Sequence, residues 1–451
     1  MKQESSFFIT VCQLAIPVAL QSVLQASFSI VDQIMIGQLG SVSVAGVGLA
    51  GKFTGMVSVV VAAIGSVAGI MIAQYLGQKN NPKVRRSFFT NLLLGCGIAA
   101  LFTVLCLLFP EAVMGLYTED LATRQTAASY LFIVAGTFFP MAGATLLSTY
   151  FRCIEKAKLP LYASIVAAVL NTGLNYILIF GEFGFPALGA NGAAIATVFS
   201  QCANFLIMLL MMPRYSSFLA VTAESKKTKT RLNVKQYAAM LFPILVCEVV
   251  WSLGENVYAA IYGHMGTEST AAMTLINPIQ GLMIGALCGL SQAAGVIIGK
   301  RLGNKEYEEA YQASKKLILY GAVSAMVLSV VIILTRSSYV QIYQVEPYVK
   351  QLTSQILLAY ALVAPFKVLN MIMGSGIIRS GGETKYVMVI DMIGTWVFGV
   401  PLGLLSAFVF KLSIPYVYFI LSLEEGIRFG ISLLVFRRKK WMKSLENTTE
   451  E

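Results

Sequence analysis

The chain has 451 residues, 57% of them hydrophobic and 12% charged, and carries a formal net charge of +11. A charged fraction about half that of soluble domains excludes a water-soluble globule and places the chain in lipid. One His and seven scattered Cys without a C-x-x-C pair exclude a His-rich zinc site and a disulfide framework, so the Cys read as small apolar packers.

Twelve apolar stretches follow one another, near residues 9–36, 47–76, 87–109, 127–151, 159–180, 188–212, 237–263, 271–299, 314–335, 352–378, 386–408 and 412–436. Each is long enough to cross about 30 Å of hydrocarbon as a helix and too long for a transmembrane strand. The expected fold class is therefore all-α and integral to the membrane. The first stretch is longer than a signal-peptide core, lacks a cleavage-like small-residue site and holds Asp32, so it is expected to be retained as a span.

A charge at the bilayer centre costs at least ~2.5 kcal/mol, so each one needs a partner, a cavity or a role. On the first span Gln21, Gln25, Ser29 and Asp32 recur at helical spacing and form one polar stripe that should face a wet cavity. Each Gln taken alone reads equally well as a bridge to a neighbouring helix. The seventh span repeats Glu248, Trp251, Glu255, Tyr258 and Tyr262 on one face. Carboxylates beside aromatic rings suit a large apolar cation, and the competing reading is packing plus a buried pair with Lys367 in the tenth span.

Asp391, four residues before Thr395 in the eleventh span, either completes that pocket or neutralises Lys367. In the twelfth, Glu425 and Arg428 stand one turn apart and read as an intrahelical ion pair. His264 falls at the outer end of the seventh span and reads as a solvated position.

Of the 33 Lys and Arg, 26 lie in one alternate set of loops and tails, including 79–86, 152–158, 226–235, 300–316 and 437–443. Lys52, Arg124, Arg336, Lys350 and Lys411 lie opposite. The excess marks the cytoplasmic side and puts both termini there. It is a topology signal, so no nucleic-acid partner is expected.

A shift of 226 residues lays the first half on the second: Pro17 on Pro243, Gly37 on Gly263, Gly40 on Gly266, Gly69 on Gly295, Gly77 on Gly303 and Gly95 on Gly321. Six spans per half make the repeat parallel, with its pseudo-twofold axis along the membrane normal. The expected organisation is an N-terminal six-helix lobe at 1–213, a cytoplasmic linker at 214–236 and a C-terminal six-helix lobe at 237–451. The linker carries Ser216, Ser217, Lys226, Lys227, Lys229 and Arg231, and reads as a solvated connection rather than a headgroup site. Gly77 and Gly303 are expected to end their helices as left-handed caps. The basic turns at Arg152–Lys156 and Arg379–Glu383 are read as structural.

The run Ile30-Val31-Asp32-Gln33-Ile34-Met35-Ile36-Gly37-Gln38-Leu39-Gly40, with Pro17, Gly77, the Arg152 turn, the stretch from Asn171 to Gly181 and Gly192 to Thr197, resembles the multidrug and toxic compound extrusion family over nearly the whole chain. The resemblance implies a monomeric, V-shaped transporter of twelve helices. Its two six-helix lobes would rock around a central cavity and expel organic cations in exchange for sodium or protons across the cell membrane. It implies a coupling-ion site at Asp32, Asn171, Asn175 and Thr197, and no cofactor beyond that ion. The substrate cavity is expected at Gln21, Gln25, Glu248, Trp251, Glu255, Tyr258, Tyr262 and Asp391, with small organic cations and the lipid bilayer as partners.

Some members of that family carry Asp where this chain has Asn175, which leaves one carboxylate. One carboxylate, two amide oxygens and a hydroxyl suit a hard monovalent cation such as sodium and penalise divalent ions. Protonation of Asp32 is an equally legitimate coupling step, because a lone carboxylate is costly to bury charged. A flippase for lipid-linked saccharides, the rival reading within the same superfamily, calls for a cavity ringed with Arg and Lys for the pyrophosphate. An intramembrane enzyme is disfavoured by the absence of H-E-x-x-H.

Overall fold

The computed structural model describes residues 2–215, 234–343 and 345–445. Most of the linker expected at 214–236, including its basic cluster, lies outside the described residues. At its edges the helices run further than expected, to Tyr215 and again from Val234. The described residues form helices and turns with no strand.

The helices are α1 (Lys2–Gly37), α2 (Ser41–Gly77), α3 (Asn81–Leu108), α4 (Pro110–Gly115), α5 (Leu121–Val134), α6 (Phe138–Cys153), α7 (Lys158–Phe180) and α8 (Ala190–Tyr215). They continue with α9 (Val234–His264), α10 (Thr267–Gly303), α11 (Tyr307–Gln341), α12 (Pro347–Met371), α13 (Thr384–Met392), α14 (Val400–Leu404), α15 (Ile414–Ser422) and α16 (Glu424–Arg437).

Eleven helical stretches among the described residues are long and apolar enough to cross a membrane, each close to an expected span. Three of them are composite: α5 and α6 join through a turn at Ala135–Thr137, α12 runs on through π-helical turns at Ile372–Ile378 to Gly381, and α13 and α14 join through π-helical turns at Ile393–Gly399. The twelfth expected span, 412–436, is broken at Leu423 between α15 and α16. Its second piece carries Glu424, Glu425 and Arg428, three buried charges that a continuous lipid-facing helix would have to expose.

The chain divides into two compact units, Leu20–Leu232 and Met1–Ala19 with Asn233–Glu451. In the first, α2 packs on α3, α5 and α6, and α7 runs along α8. Its core holds Phe53, Val57, Met114, Leu131 and Phe138. In the second, α10 packs on α11 and α12, the arrangement that the 226-residue repeat requires of the partners of α2 and α3. The part of α1 up to Ala19 belongs to this second unit, where the backbone of Ala15 lies so close to Gly289 that a Cβ there would meet the Ala15 carbonyl.

The repeat extends to backbone angles. Gly40 and Gly266 precede α2 and α10 with φ 92°, ψ 170° and φ 113°, ψ 165°, a region that only glycine enters at low cost. The expectation that Gly77 and Gly303 would be left-handed caps is corrected. Both stay helical, and the left-handed residues are Lys79 (φ 56°) and Lys305 (φ 63°), two positions on, where each closes the turn with its N–H on a helix carbonyl. Outside the spans, Asp120 caps α5, and the donors of Thr123 hold its carboxyl below the usual carboxylate range.

Gly40→Ala and Gly266→Ala should each cost about 1–3 kcal/mol, the usual cost of forcing a side chain into a sparsely populated backbone region. Thermal unfolding of the purified variants in detergent checks this, and Gly48→Ala, where a Cβ meets nothing, serves as the control.

Candidate functional site

In the unit Leu20–Leu232 a cavity of about 300 Å³ opens beside the second half of α1. Gln25, Ser29 and Asp32 line it from α1, Asn171 from α7, and Thr197 and Asn204 from α8. The helical stripe read from the sequence therefore does face a cavity, apart from Gln21. That residue is buried and donates from Nε2 to Ser164 Oγ at 2.8 Å, a bridge between α1 and α7.

Asp32 is held by amides. Asn175 Nδ2 donates to Asp32 Oδ1 at 2.7 Å. The Asn171 amide, turned to donate, stands 2.9 and 3.1 Å from the two carboxylate oxygens. Both Asn are four residues apart on α7, so one helix face delivers them together. Thr197 Oγ1 donates to Ala193 O at 2.9 Å and has the buried Tyr130 hydroxyl beside it, a neighbour that the sequence did not reveal. Asn175 is 1% exposed, and its Oδ1 has no hydrogen-bond partner, nor does the buried Oδ1 of Asn204.

A buried acceptor without a donor costs about 1–3 kcal/mol. Asn175 can present either its N–H or its oxygen to the centre by rotating one side-chain bond. The arrangement leaves Asp32 without a fixed counter-ion and can offer oxygens to a small hard cation. No cluster of three or more His, Cys, Asp or Glu with metal-binding geometry occurs among the described residues.

The unit Met1–Ala19 with Asn233–Glu451 contains most of the remaining intramembrane charges, in two cavities. One, of about 340 Å³, is lined by Glu248 and Trp251 of α9, Lys367, Arg379, Asp391 and Arg428. The other, of about 320 Å³, is lined by Glu255, Tyr258 and Tyr262 of α9, Tyr360, Lys367 and Tyr418. The α9 stripe is thus shared out between two cavities, with Lys367 and Glu425 common to both.

The ion pairs differ from those expected. Glu248 faces Arg379 NH1 at 3.7 Å rather than Lys367. Asp391 faces Arg428 NH1 at 3.8 Å and accepts from Cys247 Sγ at 2.7 Å, which settles the choice left open for it against a pair with Lys367. Arg428 also stands 3.6 Å from Glu424 and 3.9 Å from Glu425, so the expected intrahelical pair is one edge of a four-residue network. Tyr258 donates to Glu424 at 2.6 Å, and Asn370 Nδ2 to Glu425 at 2.8 Å.

Two sequence readings are corrected here. Arg379, read as part of a structural turn, is buried and donates to Cys247 Sγ at 3.3 Å. Cys247, read as an apolar packer, sits between that guanidinium and Asp391. No local pattern marked Arg379, because its register depends on the π-helical turns of Ile372–Ile378 that precede it. Gly394 has its missing Cβ replaced by the Arg428 side chain, so the same kind of turn in the eleventh stretch makes room for the network. His264 is exposed at the end of α9, its Nδ1 against Ala260 O, in line with its solvated reading.

A family model described as MatE matches residues 17–177 and 243–405, two stretches that begin at the offset of the internal repeat. The chain is similar to a protein of Thermotoga maritima named "Probable multidrug resistance protein NorM", with 23% identity over 97% of this chain and 94% of that one. It is also similar to the "Multidrug resistance protein MdtK" of Yersinia pseudotuberculosis, at 25% identity over 87% and 86%. Among solved structures, the outward-facing conformation of a multidrug resistance MATE family transporter of the MOP superfamily superimposes with a TM-score of 0.87 at 17% identity, covering 96% of each chain.

Arg428→Met strands three carboxylates and should cost about 3–5 kcal/mol, the range for an orphaned buried charge. Adding Glu424→Gln should return part of that loss. Unfolding temperatures of the single and double variants check both statements, and a double variant less stable than Arg428→Met would show that Glu424 does not depend on Arg428.

Proposed function

Since the chain belongs to the MatE family, with both of its halves matched, we propose that it is a secondary active antiporter that exports lipophilic organic cations in exchange for sodium or protons. In this reading it works by alternating access in the cell membrane, with both termini cytoplasmic. The names of its relatives support efflux as the direction, and the eleven long apolar helices support a multi-pass membrane protein.

The observation that carries the coupling step is the contact between Asp32 and the Asn171 and Asn175 amides, with a buried and unpartnered Asn175 oxygen beside it. A sodium ion entering this cavity would take a carboxylate oxygen and the amide oxygens, relieving the orphaned acceptor and neutralising Asp32 together. A proton on Asp32 would supply a single O–H donor to one amide oxygen, whereas an ion can be met by several oxygens at once. Sodium is therefore the ion this geometry favours.

The flippase reading required unpaired basic groups in the cavity. Arg379 and Arg428 stand against Glu248 and against Asp391, Glu424 and Glu425, so their charge is already committed, and among the described residues only Lys367 lines the two cavities as a basic group outside an ion pair. That distribution favours positively charged cargo.

In proteoliposomes loaded with a fluorescent lipophilic cation, a sodium gradient should drive export, and Asp32→Asn should reduce it to the leak rate. A pH gradient that drives export while a sodium gradient does not would overturn sodium in favour of protons. If neither gradient moves the dye, the antiporter reading fails.

A further inference from the structure

Beyond α16 the chain turns back against its own unit, on the side of the basic loops, through a left-handed Lys439 (φ 58°). A segment outside the spans is expected at the surface, yet in the stretch 438–445 Trp441 and Ser444 are fully buried and Leu445 is 5% exposed. The Trp441 ring stacks on Phe436 at 5.8 Å, Phe436 stacks on Tyr311 of α11 at 4.9 Å, and Trp441 Nε1 donates to Phe436 O at 3.2 Å.

The stretch covers the turn that leads into α13. Gly381 lies so close to the Trp441 carbonyl that a Cβ there would collide with it, and Gly382, left-handed at φ 80°, has the Leu445 side chain against it. Lys443 Nζ stands 2.7 Å from Glu383 Oε1, and Gln236 of α9 donates to Leu445 O at 3.3 Å. Lys439 Nζ lies 4.2 Å from the centre of the Tyr311 ring and 3.2 Å from Glu308. Both ion pairs are largely exposed and contribute little in water. The anchor is therefore the buried ring and the glycine contact.

Arg379 stands two residues before Gly381. Its guanidinium lies 3.7 Å from Glu248 and 3.3 Å from Cys247 Sγ, and it lines the cavity of about 340 Å³. The helix that delivers it is interrupted by the π-helical turns at Ile372–Ile378, so the place of Arg379 depends on what holds the turn after it.

We propose that residues 438–445 are a latch, anchored by Trp441, that positions Arg379 against Glu248 and Cys247 and so sets the charge this cavity presents. Latched, Arg379 is committed to Glu248 and covers the Cys247 thiol. Released, it leaves Glu248 without its cation and opens the thiol to the cavity. Trp441 lies outside the cavity lining and acts through Gly381 and Arg379, as a positioning residue. The inference goes beyond the transporter reading and does not depend on it, because thiol chemistry rather than transport reads it out.

The test is alkylation of the full-length protein in nanodiscs by N-ethylmaleimide, with the rate at each Cys followed by peptide mass spectrometry. In wild type Cys247 should label slowly, like Cys106 and Cys153, since all three are buried. Trp441→Ala should speed labelling of Cys247 at least about tenfold, because the rate follows the population of the open form. It should leave Cys106 and Cys153, in the other unit, unchanged. Gly381→Ala displaces the Trp441 carbonyl, keeps every side chain of the latch, and should act in the same direction. Trp441→Phe retains a stacking ring and should label as wild type does.

An unchanged Cys247 rate in Trp441→Ala, or in Gly381→Ala where the former does not fold, overturns the proposal. So does acceleration of all three buried Cys alike, the mark of a general loss of stability. A Trp441→Phe variant that labels as fast as Trp441→Ala also overturns it. Wild type that exports no dye while Trp441 still protects Cys247 sinks the antiporter and leaves the latch.

Discussion

A charge in hydrocarbon must be met by something, and that constraint organises this chain more than any other. Of the charged groups in the spans, most are matched by protein: Arg428 by three carboxylates, and Arg379 by Glu248. Asp32 is matched by neutral donors only, the amides of Asn171 and Asn175. A carboxylate met only by amides has no fixed counter-ion. The breaks in helical regularity follow the same constraint. The π-helical turns and the interruption at Leu423 occur where Arg379, Glu424, Glu425 and Arg428 are brought inside.

The two halves come from one repeated pattern and have been fitted with different chemistry. Gly40 and Gly266 share an unusual backbone conformation, as do Lys79 and Lys305, so the scaffold has kept its geometry. The polar content has not been kept. One unit holds a single carboxylate among amides and hydroxyls, and the other holds a network of acids and guanidinium groups with aromatic walls.

Much of this was legible in the sequence, for identifiable reasons. Apolar length located eleven of the twelve expected spans to within seven residues at each end, and helical periodicity placed Gln25, Ser29 and Asp32 on one cavity. The family resemblance, not any local pattern, pointed to Asn171 and Asn175, whose amides stand on Asp32. What could not be read were partners that depend on register across helices. The ion pair of Glu248 with Arg379 joins residues 131 positions apart, and only the π-helical turns bring that Arg into reach. Tyr130 on Thr197 and Cys247 on Asp391 are likewise contacts between distant segments with no local signature. The left-handed residues fell on Lys79 and Lys305 because the last turn closes two residues later than glycine placement suggests.

The central claim is that occupation of Asp32 by a cation and occupation of a cavity by cargo are linked. Reciprocal linkage makes this measurable at equilibrium: if sodium changes the affinity for cargo, cargo must change the affinity for sodium by the same factor. The dissociation constant of a lipophilic cation should be determined in nanodiscs without sodium and at saturating sodium, for wild type and Asp32→Asn. The account predicts an affinity at least about fivefold weaker with sodium in wild type, the lower range of measured couplings, and no sodium effect in Asp32→Asn. Equal affinities in wild type with and without sodium would contradict it.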